Sequence, residues 1–264
     1  MNRIVLGIEY DGASWEGWQT QPHKNTIQDC LQSAIFNFCN QKIFIVCAGR
    51  TDAGVHAIEQ IVHFDTDLIR DLSSWIRGVN VFLPSSIIIK WAAYPFMFDS
   101  DKIFHARFSA ISRTYIYLIF NDRIRSVFWE KKAVWVFKNL DLEKMQIASQ
   151  CLLGIHDFSA FRSSECQSKT PIREMKKIKI YKKGDIIFLE FCANAFLHHM
   201  LRNIVGSLVQ VGSGKQSEEW IYEILIGKDR KNAAPTFSPY GLYLFKIEYD
   251  KRWALPQLQK KIIY

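Results

Sequence analysis

No stretch of this 264-residue sequence can cross a membrane as a helix. The longest run free of Asp, Glu, Lys and Arg is the fourteen residues 232–245, broken by Pro235 and Pro239, whereas a spanning helix needs about 20 apolar residues. No secretory signal is expected in the opening residues either: Arg3 is followed by a short apolar run before Glu9 and Asp11, with no small-residue cleavage site. The six cysteines, at 30, 39, 47, 151, 166 and 192, form no CxxC pair and no tight pairing with histidine. In a chain of this size outside the secretory route they are expected to be reduced thiols, and the expected compartment is the cytoplasm. A P-loop and a G-x-G-x-x-G run are both absent, so no nucleotide cofactor is indicated. No short repeat and no Pro- or Ser-rich linker divides the chain.

What is present is a globular composition, 48% apolar and 14% aromatic, which excludes a disordered or fibrous chain. The length suits one large domain or two fused smaller ones. Net charge is +8, and the segment Arg162–Lys183 alone holds eight basic and two acidic residues. A basic protein with a basic patch points to a polyanionic partner, although a solvated surface has the same composition.

Apolar periodicity divides the chain into alternating elements. Arg3–Tyr10 reads as a strand, and Thr26 as the cap of a helix with apolar positions Ile27, Leu31, Ala34, Ile35 and Phe38. Ile43–Ala48 and Gln60–Asp65 read as strands, Leu72–Val81 as a short helix and Ile87–Tyr94 as a strand, a β-α-β-β-α-β order. In the second half Phe108–Phe120 and Ala133–Lys138 read as strands and Leu142–Leu153 as a helix. Ile172–Tyr181 and Ile186–Cys192 form a hairpin about Lys183-Gly184-Asp185. Leu197–Val211 has the pattern of an amphipathic helix; a helix near Glu218–Ile226 and a strand Gly241–Tyr249 close the chain. The class is α+β, with antiparallel sheets expected from the hairpins.

The most informative place is the loop Gly49-Arg50-Thr51-Asp52-Ala53-Gly54-Val55-His56. Its glycines permit tight turns and close approach of a ligand. A carboxylate beside a guanidinium stays ionised and can act as a nucleophile or an electrostatic stabiliser. The same residues also suit an Asx-type turn with a local Arg–Asp pair.

Extended by one residue at each end, Ala48 to Ala57, this loop resembles the signature of the tRNA pseudouridine synthase A family, centred on that family's nucleophile. Further segments resemble it in order. Gly17-Trp18-Gln19 comes first, then Phe104-His105-Ala106-Arg107-Phe108-Ser109-Ala110 and Arg113-Thr114-Tyr115-Ile116-Tyr117. Phe161-Arg162-Ser163-Ser164, Cys166-Gln167-Ser168-Lys169-Thr170-Pro171, Phe196-Leu197-His198-His199-Met200, Arg202-Asn203-Ile204-Val205-Gly206 and Gly241-Leu242-Tyr243-Leu244 follow. The resemblance runs from about Arg3 to Tyr249. It departs at Glu59, where Gly is usual, and at Phe237-Ser238, where Ala-Pro is usual.

The resemblance implies two ferredoxin-like α+β halves, about 1–105 and 106–264, with antiparallel sheets joined into one and a catalytic cleft between them. It implies isomerisation of uridine to pseudouridine at positions 38, 39 and 40 of the tRNA anticodon stem-loop, by a homodimer. Breaking the bond between C1′ and N1 calls for a carboxylate near C1′, which would be Asp52, by covalent addition or by assisting a sugar intermediate. A stem uridine must be extruded before it can react. By resemblance Arg50 assists that flipping, Tyr115 stacks on the base, Arg202 is a second basic residue of the site and Leu244 an apolar wall of its pocket. From position alone Tyr115 and Leu244 would suit a core, and Arg202 a solvated helix face. The segments Phe104, His105, Ala106, Arg107 and Phe108, and Cys166, Gln167, Ser168, Lys169 and Thr170, match those that touch tRNA, and contacts to stems are mostly to backbone and shape.

The adjacent His198 and His199 lack the i,i+4 spacing and the flanking ligands of a metal site, so no metal and no cofactor are expected. Two other RNA-directed readings lack their motifs. An RRM needs a K/R-G-F/Y-G/A-F-V-x-F/Y run, and a zinc deaminase needs H-x-E with P-C-x-x-C; neither occurs.

Overall fold

The fold was obtained as a computed structural model, which describes residues 2–96 and 103–257. In chain order the first elements are β1 (Asn2–Tyr10), α1 (Ile27–Cys39), β2 (Val46–Cys47), β3 (His56–Thr66), α2 (Leu72–Asn80), β4 (Ile87–Ala93) and β5 (Ala110–Phe120). Then follow β6 (Val134–Trp135), α3 (Leu142–Ser149), β7 (Gly154–Asp157), β8 (Ile172–Lys183), β9 (Ile186–Ala193), α4 (Met200–Gly212), α5 (Trp220–Gly227) and β10 (Leu242–Tyr249). The class is α+β. By their contacts the residues form two units, Met1–Ile111 with Tyr243–Tyr264, and Ser112–Leu242. This division places residues 106–111 and the last strand with the N-terminal unit. No helix among the described residues is long and apolar enough to cross a membrane.

In the first unit the strand order is β4-β1-β3-β10, with β2 on β3. β1 runs antiparallel to β3 and β4, but β10 lies parallel to β3, with Tyr243 opposite His56 and Leu244 opposite Ala57. Helix α1 starts as the sequence predicts. The Thr26 side chain accepts from Asp29 N–H, and its hydroxyl donates to the Asp29 carboxylate at 2.6 Å, a reciprocal cap. Asn40 in the left-handed conformation ends it. The aromatic rings of Phe38 and Phe64 each lie 5.2 Å from Trp75 of α2, which is fully buried.

In the second unit the order is β5-β9-β8-β7, antiparallel along β5-β9-β8-β7, with β6 parallel to β5. The two parallel pairs correct the expectation of purely antiparallel sheets. A strand reached by a long connection is free to enter in either direction, and β10 follows a whole second unit. Helix α4 is buried on nearly every side rather than amphipathic. Small and polar residues make that possible: a Cβ on Gly206 would meet Pro235 O at 2.8 Å and one on Gly212 would meet Met145 Sδ at 2.7 Å. The Asn203 side chain donates to Phe161 O, and Ser207 Oγ accepts from Ala234 N–H. The helix begins at Met200 because His199 sits at φ 62, off the helical track.

Two expected strands are shorter, and a third strand has no signal in the sequence. The strand over Ile43–Ala48 pairs only at Val46 and Cys47, and Ile45 N–H is taken by the Gln32 side chain instead. The strand over Ala133–Lys138 pairs only at Val134 and Trp135. Strand β7 has four residues, too few for a periodic signal.

Candidate active-site and RNA-contact loops

Asp52 is half-buried on the loop between β2 and β3, and Arg50 is exposed on it. The loop is fixed by the segment after β1. Trp18 N–H donates to Thr51 O (3.0 Å), Gly54 N–H donates to Trp15 O (3.2 Å), and the Tyr10 and Thr51 hydroxyls meet at 2.7 Å. Val55 N–H closes back onto Asp52 O at 3.2 Å, and the Gln60 side chain holds Gly49 O. Gly12 N–H donates to His56 Nδ1, whose ring stacks on Tyr243 at 4.6 Å. Close approach requires two glycines. A Cβ on Gly12 would stand 1.9 Å from Val55 O, and Gly17, at φ 91, has Thr51 O, Ala53 N and Asp52 C between 3.0 and 3.2 Å of where its Cβ would be. The Gly17-Trp18 match and the Asp52 loop are thus parts of one assembly.

Leu244 lies in the same unit, fully buried beside Ala57. Glu59, one of the departures, is buried and accepts from Trp91 Nε1–H at 3.4 Å. Cys47, just before the loop, has its thiol pushed up to about 12 by burial, which the Arg50 and Arg107 charges oppose.

The Phe104–Phe108 segment divides by burial. Phe104 and Ala106 are fully buried, Phe104 against His63, Tyr249 and Trp253, while Arg107 and Phe108 are exposed. Ala106 N–H donates to His63 Nδ1 (3.2 Å), and the His105 ring accepts from Arg107 and Phe108 N–H while stacking on Phe108 at 4.4 Å. Burial, then the Arg3 charge, lowers His63 to about 4 and pulls His105 down as well. Both rings are therefore neutral acceptors at pH 7. His63 was missed from sequence; an isolated His in an apolar strand gives no signal of this duty.

In the second unit, Tyr115 is 8% exposed on β5, its ring edge-on to Phe196 at 5.2 Å. Arg202, in the first turn of α4, donates from Nε to Phe237 O at 2.8 Å. The Tyr117 hydroxyl donates to Ser238 O at 2.5 Å, and burial holds its phenol far above the ordinary range, with Arg202 opposing. The Arg202 and Tyr117 donors at the second departure both use its carbonyl oxygens, while the Phe237 ring packs on Tyr117 with centroids 5.9 Å apart.

The Cys166–Thr170 loop is held by two arginines that sequence reasoning gave no structural duty. Arg162 Nη2 donates to the carbonyls of Cys166 (2.6 Å) and Ser168 (2.9 Å). Arg173, 8% exposed, reaches the Thr170 and Ile172 carbonyls and the Ser168 hydroxyl. Cys166 is buried as an anchor, whereas Gln167, Lys169 and Thr170 are exposed. Burial alone would raise the Cys166 thiol, but N–H groups of His198 and Ser168 and the Arg162 charge outweigh it and bring it below its ordinary value. Arg50, Asp52, Leu244 and Phe104–Phe108 thus lie in the first unit, and Tyr115, Arg202 and Cys166–Thr170 in the second.

A family described as tRNA pseudouridine synthase matches residues 8–108 and 148–250. A tRNA pseudouridine synthase A from Herminiimonas arsenicoxydans is 59% identical over 97% of this chain and 93% of its own length. One from Janthinobacterium sp. (strain Marseille) is 58% identical over 97% and 95%. A solved Cbf5-Nop10-Gar1 complex matches 80% of this chain and 55% of its own at 11% identity and a TM-score of 0.33, too low to carry an argument.

Proposed function

Because the chain belongs to the tRNA pseudouridine synthase family and isomerises uridine to pseudouridine in tRNA, we propose that Asp52 is its nucleophile and that it acts at positions 38, 39 and 40 of the anticodon stem-loop. The observation that carries the assignment is the Asp52 loop itself. A half-exposed carboxylate sits on a backbone locked by Gly12, Gly17, Tyr10 and Trp18, an expensive arrangement for an ordinary turn.

In the reaction the bond between C1′ and N1 breaks with the Asp52 carboxylate stabilising or trapping the sugar carbon. The uracil, still bound, rotates so that C5 bonds to C1′; C5 loses its proton and N1 ends protonated. The formula is unchanged, so no co-reactant is needed. Water is excluded because hydrolysis would release the base. Arg50 assists extrusion of the uridine, and Tyr115 stacks on it, a contact worth about 1–3 kcal/mol. Arg202 supplies a second positive charge and Leu244 an apolar wall. Arg107, Phe108, Gln167, Lys169 and Thr170 meet the RNA, while Phe104, His105, Ala106, Cys166 and Ser168 shape the segments that do so. The enzyme works as a homodimer in the cytoplasm.

Tritium release from tRNA carrying [5-³H]uridine tests the assignment, since forming the new bond expels the C5 hydrogen. The wild type releases label and Asp52→Asn does not, while both bind tRNA. Release by Asp52→Asn at a rate near that of the wild type would return Asp52 to being a turn residue. Substrates with uridine at only one of positions 38, 39 and 40 test the site preference.

A further inference from the structure

The unit Ser112–Leu242 contains a cavity of about 580 Å³ that the reading above does not use, lined among others by Arg162, Ser163, Ser164, His199, Arg230 and Thr236. Its two arginines are fixed by neutral groups. Arg162 gives two bonds from Nη2 to the carbonyls of Cys166 and Ser168, and its side chain also bonds to the Cys166 thiol. Arg230 gives three, to Ala233 O (3.2 Å), Asn203 Oδ1 (3.0 Å) and Thr236 Oγ1 (3.2 Å). A guanidinium carries five N–H donors. Donors therefore remain on both guanidiniums, two of them on Arg230, and neither residue is ion-paired to a carboxylate among the described residues.

Two positive charges held at one cavity, neither bonded to a carboxylate, suit an anion. Arg230 is lowered from its ordinary value, and the cause is burial. The bonds already made remove the rotamer freedom that binding would otherwise cost. Rigid guanidinium forks match the tetrahedral oxygens of phosphate, and the serine and threonine hydroxyls add neutral donors. The volume is several times that of a bare phosphate ion, with room for the sugars on either side.

We propose that this cavity is a phosphodiester subsite, in which Arg162 and Arg230 grip one backbone phosphate of the tRNA. This rests on tRNA being the substrate, and it does not depend on the role of Asp52. Arg162 also shapes the Cys166–Thr170 loop, so a phosphate held here is gripped by the residue that positions that RNA-contact segment.

The test is tRNA affinity against salt for the full-length protein. Arg230→Gln should weaken tRNA binding about tenfold and make the slope of log affinity on log salt shallower by about 1. Ser164→Trp, at an exposed position, fills the cavity without touching the arginine bonds and should do the same. Lys215→Gln, on an exposed turn of the same unit, is the control and should move the slope less than either. Unchanged affinity and slope in Ser164→Trp would overturn the proposal even if Arg230→Gln failed to fold. Inorganic phosphate separates the two anion sources. A phosphate-induced rise in melting temperature that Ser164→Trp abolishes, with tRNA binding unaltered, would mean a free-anion site and overturn the proposal. Loss of RNA affinity in the cavity variants together with full label release by Asp52→Asn would leave this subsite standing and remove the nucleophile assignment.

Discussion

In the loop around Asp52 most holding contacts are backbone hydrogen bonds and close glycine packing, with the Asp11 carboxylate 2.9 Å from His56 at its end, whereas the loop from Arg162 to Thr170 is held by two guanidiniums that grip its carbonyls. The difference follows from what each must leave available. In the role proposed for Asp52, close backbone packing fixes the loop and leaves the carboxylate half-exposed to a substrate. In the RNA-contact role proposed for the second loop, its arginines both hold it and add to the positive field. Substitutions that damage one region should therefore be of a different kind from those that damage the other.

The largest effect is expected in the first region. Gly12→Ala drives a methyl into Val55 O at 1.9 Å, a backbone atom with no rotamer to yield. It should cost about 4 kcal/mol in urea unfolding, or displace the loop and abolish label release. Gly17→Ala, at φ 91 with its neighbours at 3.0 Å or more, should cost about 1–2 kcal/mol. A Gly12→Ala enzyme of normal stability and activity would show that packing does not hold this loop.

The Phe104–Phe108 segment adds a pH-dependent support. His63 is held at about 4 in the fold, below the ordinary value near 6.5. A base with a lowered value is neutral when folded, and the unfolded chain takes up the proton first as pH falls. Its contribution is complete above about pH 6.5 and is lost progressively down to about pH 4, on the order of 3 kcal/mol in all. His63→Gln should flatten the unfolding free energy across that window relative to wild type. Parallel curves would mean that His63 titrates normally.

In the second region Arg173→Lys keeps the charge and loses the fork. One ammonium cannot reach the Thr170 and Ile172 carbonyls and the Ser168 hydroxyl together. A loss of about 2 kcal/mol and faster amide exchange over 166–170 are expected. The equivalent loss from Arg173→Met alone, with Arg173→Lys neutral, would show that charge rather than geometry holds the loop.

These supports differ in how far they could be read from the chain. Helix α1 was legible because the Thr26 cap and the apolar spacing are local, and the Asp52 loop because its residues match a family contiguously. Strand β2 was read too long because Ile43 and Ile45 are buried without pairing, and periodicity reports burial rather than hydrogen bonding. Helix α4 was read as two-faced because Asn203, Gly206 and Ser207 look like a polar side. They are instead the small and bonding residues that let the Pro235 backbone and the Phe161 carbonyl approach. The parallel entry of β10 beside β3 depends on contacts nearly 190 residues apart in sequence, which no local pattern encodes.

The smallest predicted effect asks whether backbone-only holding also occurs in the second unit. Tyr117 O–H donates to Ser238 O, and the Ser238 side chain takes no part in that bond. Tyr117→Phe should cost about 1 kcal/mol, since it removes the donor from a part-buried carbonyl. Ser238→Ala should stay within about 0.5 kcal/mol of wild type, because the accepting oxygen belongs to the main chain. A large loss from Ser238→Ala would assign the holding contact to the hydroxyl. The departure from the family pattern at Ser238 would then need a side-chain explanation, and backbone holding would not extend to this part of the second unit.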